Sequence, residues 1–525
     1  MHRSAFACLA FITILTLAKS LPNGVHLPLH LGSRARWKRD GGSSEAGLGD
    51  ASDVTYNVLV RVGQTLTPLI LDTGSADLWL VSDGCRELCA HTDLPLYPQA
   101  ALSPIGQSVH LLYGDSHTST HAFGPIGTDT VGIAELSVPR QYLAAITDTN
   151  TSVLDTGSAG ILGLGFAPIS LIWRQLMADK GSSLPLALPG RVADAVDTAG
   201  LNLRTHTFPS FSSLARPSPY KKRQNPRYLM SWDTDSITTY GPLLTRLATL
   251  GVLSRPLVAT TLQRDTVSLG DHAGTLSLGA LPDGISEDDL TWVPVRGYRA
   301  SQGGLPPSPQ APYEIYPLVW EVPLDDVFFD GIRLPRSSLS PPSISLSALV
   351  DTGNSLIRGP RDVLTHIAAR LGDTFDCAIP HNLSFLIGGV LFPVDPRDFA
   401  RPESLINDIV GLNFGPARAQ RCTPALAVTD PPGDGGFLYS WSLGVPFLKS
   451  TLAAFYYGNS THPTRDPPRV GFLSTVPSDA GESLADAVAS AALHGGLFPE
   501  KSDLAIFDLA TGIGPIATQG LLGVF

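Results

Sequence analysis

Two distant stretches of the chain share one pattern of apolar and polar positions. From Leu69 to Val81 (LILDTGSADLWLV) an apolar run delivers Asp72 into a Gly-containing turn, and a second apolar run containing Trp79 follows. From Ala348 to Pro360 (ALVDTGNSLIRGP) a hydrophobic run again ends in Asp-Thr-Gly and is followed by a hydroxyl residue, Ser355. Elsewhere, alternation predicts a strand over Thr55–Val62 and two arms around a polar tip over Val109–Gly124. Leu383–Val394 reads as a hairpin turning at Gly388-Gly389. Apolar spacing of about 3.6 predicts helices over Pro168–Lys180 and Tyr240–Val252, with a further helix-like run over Arg361–Leu371. The many short runs, separated by Gly and Pro, predict an all-β protein with minor helices.

The residue types in the twin stretches have physical reasons. A buried carboxylate is costly unless hydrogen-bonded. Gly74 and Gly353 let backbone amides approach Asp72 and Asp351 with no Cβ in the way. Ser75 and Ser355 can donate to the outer carboxyl oxygens, while Thr73 and Thr352 can tie one turn to the other. Two carboxyls brought within hydrogen-bond distance cannot both ionise, so the pair shares a proton over an acidic range. Its charged member can then activate a water while the protonated member donates to a carbonyl oxygen.

With 525 residues, 43% of them hydrophobic and 16% charged, the chain has material for two lobes and extensions. A net charge of −11 argues against nucleic acid as a partner, since phosphate binding needs clustered Lys and Arg. Residues 1–20 read as a secretory signal peptide: His2 and Arg3, an apolar core from Ala5 to Leu17, then small Ala18 and Ser20. A secreted, extracellular location follows. Cys8 leaves with that peptide, and Cys85, Cys89, Cys377 and Cys422 form an even set in an oxidising compartment, open to three pairings. Their scatter argues against zinc, and no metal or other cofactor is expected. Asn150, Asn382 and Asn459 each begin a glycosylation sequon.

These motifs resemble the two active-site turns of pepsin-like aspartic proteases of the secreted, fungal type. The resemblance implies a bilobal β-barrel fold with the active-site cleft between the lobes, and covers roughly residues 54 to 475. Within it, the Val109–Gly124 arms resemble the flap hairpin, with Tyr113 and Gly114 matching its Tyr-Gly pair and the usual tip glycine replaced by Ser116. Gly274–Pro282, Leu290–Val295, Trp320–Leu324, Ala453–Tyr457 and Arg469–Phe472 resemble the family's further strands, while Val445 and Pro446 replace a commoner acidic residue behind the second turn. The family pattern favours the pairings Cys85–Cys89 and Cys377–Cys422. It implies a monomeric endopeptidase acting at acidic pH on extended polypeptides, through a water held between Asp72 and Asp351. The alternative is a catalytically weak or inactive binding protein or inhibitor on the same fold. Such proteins usually lose an Asp, its Gly or the flap Tyr, and all are present here.

A third tetrapeptide, Asp155-Thr156-Gly157-Ser158, is preceded by the polar loop Thr147–Ser152 rather than an apolar strand, so no catalytic role is expected for Asp155. Residues 21–39 read as a short basic propeptide of a zymogen, ending in Lys38-Arg39. Residues 40–269 form the expected N-terminal lobe, with an insertion at 181–236 whose Lys221-Lys222-Arg223 reads as a solvated basic loop. Residues 270–477 form the C-terminal lobe, interrupted by a Pro/Gly/Ser insertion at 297–316, and 478–525 a low-complexity tail too interrupted for a membrane span.

Overall fold

In the computed structural model, the described residues are 25–32 except 29, 55–113 except 87, 88, 90, 91 and 93, 120–179, 232–262, 274–402, 421–433 and 436–493. The signal-peptide stretch, Gly114 with the rest of the hairpin tip, most of the 181–236 insertion and the end of the tail lie outside them.

Two sheets repeat one strand arrangement. In the first, the strand Thr65–Asp72 runs parallel to Gly160–Gly163, which lies antiparallel to Leu78–Val81, which in turn runs parallel to Leu136–Ile146. In the second, Ser347–Val350 runs parallel to Trp441–Leu443, which lies antiparallel to Ile357–Pro360, which runs parallel to Leu426–Thr429. The strands that flank each Asp turn are buried along nearly their whole length. Coverage on both faces explains why these stretches read as continuous apolar runs, not as alternation.

A third sheet joins the halves. Among the described residues its strand order is Val25–Pro28, Gly274–Leu278, Leu257–Leu262, Thr451–Tyr456, Arg469–Ser474, Thr291–Pro294. Aromatic packing fastens it beneath the twin turns. The Trp320 ring centroid lies 4.4 Å from Phe166, 4.9 Å from Tyr457 and 5.1 Å from Phe455. Trp320 Nε1 and Tyr457 Oη both donate to the Leu164 carbonyl, at 3.0 and 2.6 Å. These polar tips therefore carry partners into a dry core, as buried Trp and Tyr require.

The expected strand Thr55–Val62 and helix Arg361–Leu371 form with those bounds, and the hairpin turns at Gly388-Gly389, both at positive φ. The other helices are shorter than their patterns, Leu171–Asp179 and Leu243–Thr249. Pro168 is taken into a preceding 3-10 turn, and Pro242 forms the N-terminal boundary of the second helix.

Three stretches read as extensions or insertions carry regular structure or specific contacts. The expected propeptide supplies the strands Val25–Pro28 and His30–Gly32. The start of the tail forms a helix, Leu484–Leu493, that buries Leu484 and Val488 in the main core. The 297–316 insertion is a strap between the halves: Trp232 Nε1 donates to Pro306 O at 2.7 Å, Thr234 N donates to Gln310 Oε1 at 3.1 Å, and the Trp232 and Tyr316 rings meet at 5.0 Å. Polar and Pro-rich composition concealed a segment whose order comes from side chains of distant residues.

Both disulfides favoured by the resemblance, Cys85–Cys89 and Cys377–Cys422, are formed. The second staples Phe375–Asp376 to Arg421–Pro424 across a separation of 45 residues. Substituting both of its cysteines with Ala is expected to remove about 3–4 kcal/mol by the loop-entropy relation, read as a lower thermal midpoint. An unchanged midpoint would contradict that role.

Candidate active site

The parallel neighbours set the height of each turn. Leu164 N donates to Asp72 O at 2.7 Å, and Asp351 N donates to Leu443 O at 3.0 Å. Each strand thus ends against a strand from later in its own half, and both Asp residues project at the junction of the halves. Asp72 and Asp351 are almost wholly buried, at 1% and 0% exposure.

The threonines lock the turns reciprocally. Thr73 N donates to Thr352 Oγ1 at 3.0 Å and Thr352 N to Thr73 Oγ1 at 2.9 Å. Each hydroxyl then donates onward across the junction, Thr73 Oγ1 to Val350 O at 2.9 Å and Thr352 Oγ1 to Leu71 O at 2.7 Å. Both amides and both hydroxyls of the pair are used as donors, so the turns are held in a single register.

Within each turn the glycine amide donates to its own carboxylate, Gly74 N to Asp72 Oδ1 at 2.8 Å and Gly353 N to Asp351 Oδ1 at 3.0 Å. Each glycine also faces the opposite carboxylate. A Cβ on Gly74 would lie 2.6 Å from Asp351 Oδ1, and one on Gly353 would lie 2.4 Å from Asp72 Oδ1. Only residues without a Cβ permit this approach.

The two turns are not equivalent. Ser75 Oγ donates to Asp72 Oδ2. Ser355, expected to do the same for Asp351, does not: its Oγ is shielded from solvent and has no hydrogen-bond partner among the described residues. The reason is the extra position taken by Asn354, which stands directly after Gly353 where Ser75 stands after Gly74. Its side chain turns outward from the dyad, Nδ2 donating to Ser442 Oγ at 2.9 Å and Oδ1 accepting from Leu356 N at 3.2 Å. The Asn354 carbonyl accepts from Val445 N at 2.7 Å, so the residue standing in place of an acidic one supports the turn through its backbone.

Burial pushes the Asp72 carboxyl up from 3.8 to about 6, against the opposing pull of Ser75 Oγ, the Gly74 amide and the hydrogen bond shared with Asp351. A carboxyl held this way can carry the pair's proton in mildly acidic solution.

Tyr113, at the end of the strand Ser103–Tyr113, is fully buried, and its Oη accepts from Trp79 Nε1 at 2.6 Å. Burial, then the charges of Asp77 and Asp72, push its phenol well above the ordinary range, so it stays a neutral donor. The hairpin tip with Gly114 falls outside the described residues.

One carboxylate beside the site was not singled out from sequence. Asp77, 3% exposed, accepts from Ser170 Oγ at 2.6 Å, Leu171 N at 2.9 Å and Ile172 N at 3.1 Å. It therefore supplies the first turn of the helix Leu171–Asp179 with an acceptor from a distant loop. Burial raises its carboxyl above the usual range. Its signal was available as a lone acidic residue inside an apolar run, SADLWLV.

Asp155 lies on a 3-10 turn, Leu154–Thr156, with its side chain partly exposed. The hydroxyls beside it serve local structure: Thr156 Oγ1 donates to Val153 O at 2.8 Å and Ser158 Oγ to Asn57 Oδ1 at 2.7 Å. The third tetrapeptide thus leads into Gly160–Gly163, the strand that supports Asp72. Of the sequon residues, Asn150 and Asn382 are exposed and Asn459 is half-buried.

Residues 55–180 match the family model described as eukaryotic aspartyl protease. Among curated proteins, the chain is 22% identical over 442 residues to cathepsin E of Mus musculus, covering 81% of each. It is 32% identical over 125 residues to rhizopuspepsin-5 of Rhizopus niveus, covering 23% of this chain and 31% of the relative. With pregnancy-associated glycoprotein 1 of Ovis aries it shares 26% over 229 residues, and the chain spans 48% of that relative's length. Among solved structures, the aspartic proteinase from Irpex lacteus aligns with a TM-score of 0.49 at 17% identity, covering 89% of this chain and 99% of that one.

Proposed function

We propose, from the premise that this chain is a pepsin-like aspartic protease, that it is a secreted endopeptidase hydrolysing extended polypeptides in acid through Asp72 and Asp351. The observation that carries this reading is the crossed glycine arrangement, in which each turn's glycine faces the other turn's carboxylate at distances no Cβ would tolerate. Two carboxyls so placed share one proton and can hold one water.

In the proposed reaction the ionised member of the pair takes a proton from that water as its oxygen bonds to the peptide carbonyl carbon. The protonated member simultaneously gives its proton to the carbonyl oxygen, leaving a neutral tetrahedral diol. Proton transfer to the peptide nitrogen and back to the dyad from one diol hydroxyl then accompanies cleavage of the C–N bond. The products are an acid and an amine, and the pair regains its starting protonation. Tyr113, neutral throughout, contributes a wall and a polar group beside the bond being cut.

Digestion of an unfolded protein at about pH 4, where a shared-proton dyad is singly ionised, tests the reading. Cleavage blocked by pepstatin is the expected result; no cleavage from a folded sample would remove it. The pH dependence is a separate expectation. Because the Asp72 carboxyl is raised from 3.8 to about 6, kcat/KM is expected to fall as pH rises through about 6. Folding stability shares the sign. A raised folded-state value contributes stability that is fully present below 3.8 and lost as pH climbs through about 6. Rate profiles and thermal melts over that window should decline together. A rate limb displaced to neutral pH would refute the assignment of the proton to this pair.

A further inference from the structure

We propose that the segment before Lys38-Arg39 is a permanent part of the folded enzyme: when the chain is cut at that dibasic pair, Val25–Gly32 stays bound, and the enzyme becomes a two-chain molecule. This goes beyond the catalytic reading and does not depend on it.

The segment pairs with two different sheets. Val25–Pro28 runs antiparallel to Gly274–Leu278, with Val25 opposite Leu278 and Pro28 opposite Thr275. His30–Gly32 runs antiparallel to Thr55–Val62, with His30 opposite Asn57 and Gly32 opposite Thr55. One strand sits on the sheet that joins the halves, and the other on the sheet that carries Asp72. Both are outermost strands, which is where Pro28, lacking an N–H, can be accommodated. Only Leu29 separates the two strands, so leaving one sheet does not free the segment from the other. Linked weak contacts hold far more tightly than either alone.

The sequence supports the same conclusion. Val25, Leu27, Leu29 and Leu31 alternate with His26, Pro28 and His30, a strand pattern obscured at first sight by the basic residues that follow. The stretch that a cut after Arg39 would make N-terminal, DGGSSEAGLGDASDV, holds four glycines and only Leu48 and Val54 as larger aliphatics. It has no pattern with which to replace the departing strands. Loss of the segment would leave the edge of Gly274–Leu278 unpaired, although Leu276 and Leu278 are core residues at 0% and 1% exposure. An unpaired apolar edge invites aggregation.

The test uses the full-length secreted chain with residues 34–39 replaced by the recognition sequence of a site-specific protease. After cutting, the product is passed through gel filtration in native buffer, and each fraction is identified by intact mass and N-terminal sequencing. The expected result is one N-terminal fragment per enzyme in the protein peak, two N-termini in equal amounts, and an unchanged melting temperature. A companion variant carrying His26→Pro, Leu27→Pro, His30→Pro and Leu31→Pro removes the N–H at adjacent positions of both strands, so each loses a ladder donor whichever way it faces. Its fragment is expected to elute with small molecules, and its cut form to melt lower. Release of the unmutated fragment with no change in melting would overturn the proposal. So would equal retention of both fragments, because the segment would then be held by something other than strand pairing.

Discussion

Changing either Asp72 or Asp351 to Asn is expected to lower kcat/KM by at least about a thousandfold while the protein still folds. Asn keeps the shape of the carboxyl and can still accept from Gly74 N or Gly353 N, so the turn geometry should persist. It cannot accept a proton from water or donate one from a carboxylic acid. Because each half contributes one member, either change should cost nearly the whole rate, and combining them should cost little more. Both sites are buried, so removing an ionisable group should leave the melting temperature level or raised. Asp155→Asn is the control, expected to leave turnover within about twofold, since substitutions away from special features are nearly neutral. Retained activity in either dyad variant, in a sample free of wild-type enzyme, would end the assignment.

Gly353→Ala should be the next most damaging change. Its Cβ would fall 2.4 Å from Asp72 Oδ1 and 2.7 Å from Asp72 Cγ, closer than any real contact. The neighbour is an anchored carboxylate, bonded to Gly74 N and Ser75 Oγ, and cannot swing aside without breaking those bonds. Overpacking of this kind costs about 1–3 kcal/mol of stability. The rate should suffer more, by about a hundredfold or greater, since small misplacements of reacting groups carry penalties of that size. Gly74→Ala reverses the geometry, with its Cβ 2.6 Å from Asp351 Oδ1, and should give a similar loss. Steady-state rates beside thermal melts separate the two effects. A variant that keeps wild-type kcat would show that the carboxylates are not confined as described.

Much of this architecture was legible because a few signals are strong by themselves. The twin runs ending in Asp72 and Asp351 lie on interior strands of their sheets, where burial on both faces demands continuous apolar sequence. Context likewise separated Asp155, because no strand delivers it. What could not be read was set by groups far apart in sequence. The Asn354 side chain is committed to Ser442, and nothing near Ser355 announces that its hydroxyl falls out of reach of Asp351. The 297–316 strap takes its order from Trp232 and Thr234, contacts that composition does not encode. The Val25–Gly32 strands alternate clearly, but the partners they pair with, Gly274–Leu278 and Thr55–Val62, lie far along the chain and are not written in the segment itself. Asp77 stands five residues after Asp72, inside the run that the stronger Asp-Thr-Gly signal already accounts for.

The interlocked threonines give the protein a form of timing. Thr73 and Thr352 are 279 residues apart, and each hydroxyl accepts from the other's backbone amide. A ribosome that has released only the first half has made Asp72 but not the environment that raises its carboxyl or aims it. The paired arrangement of Asp72 and Asp351 therefore forms in one step, when the second turn docks, and not gradually with chain growth.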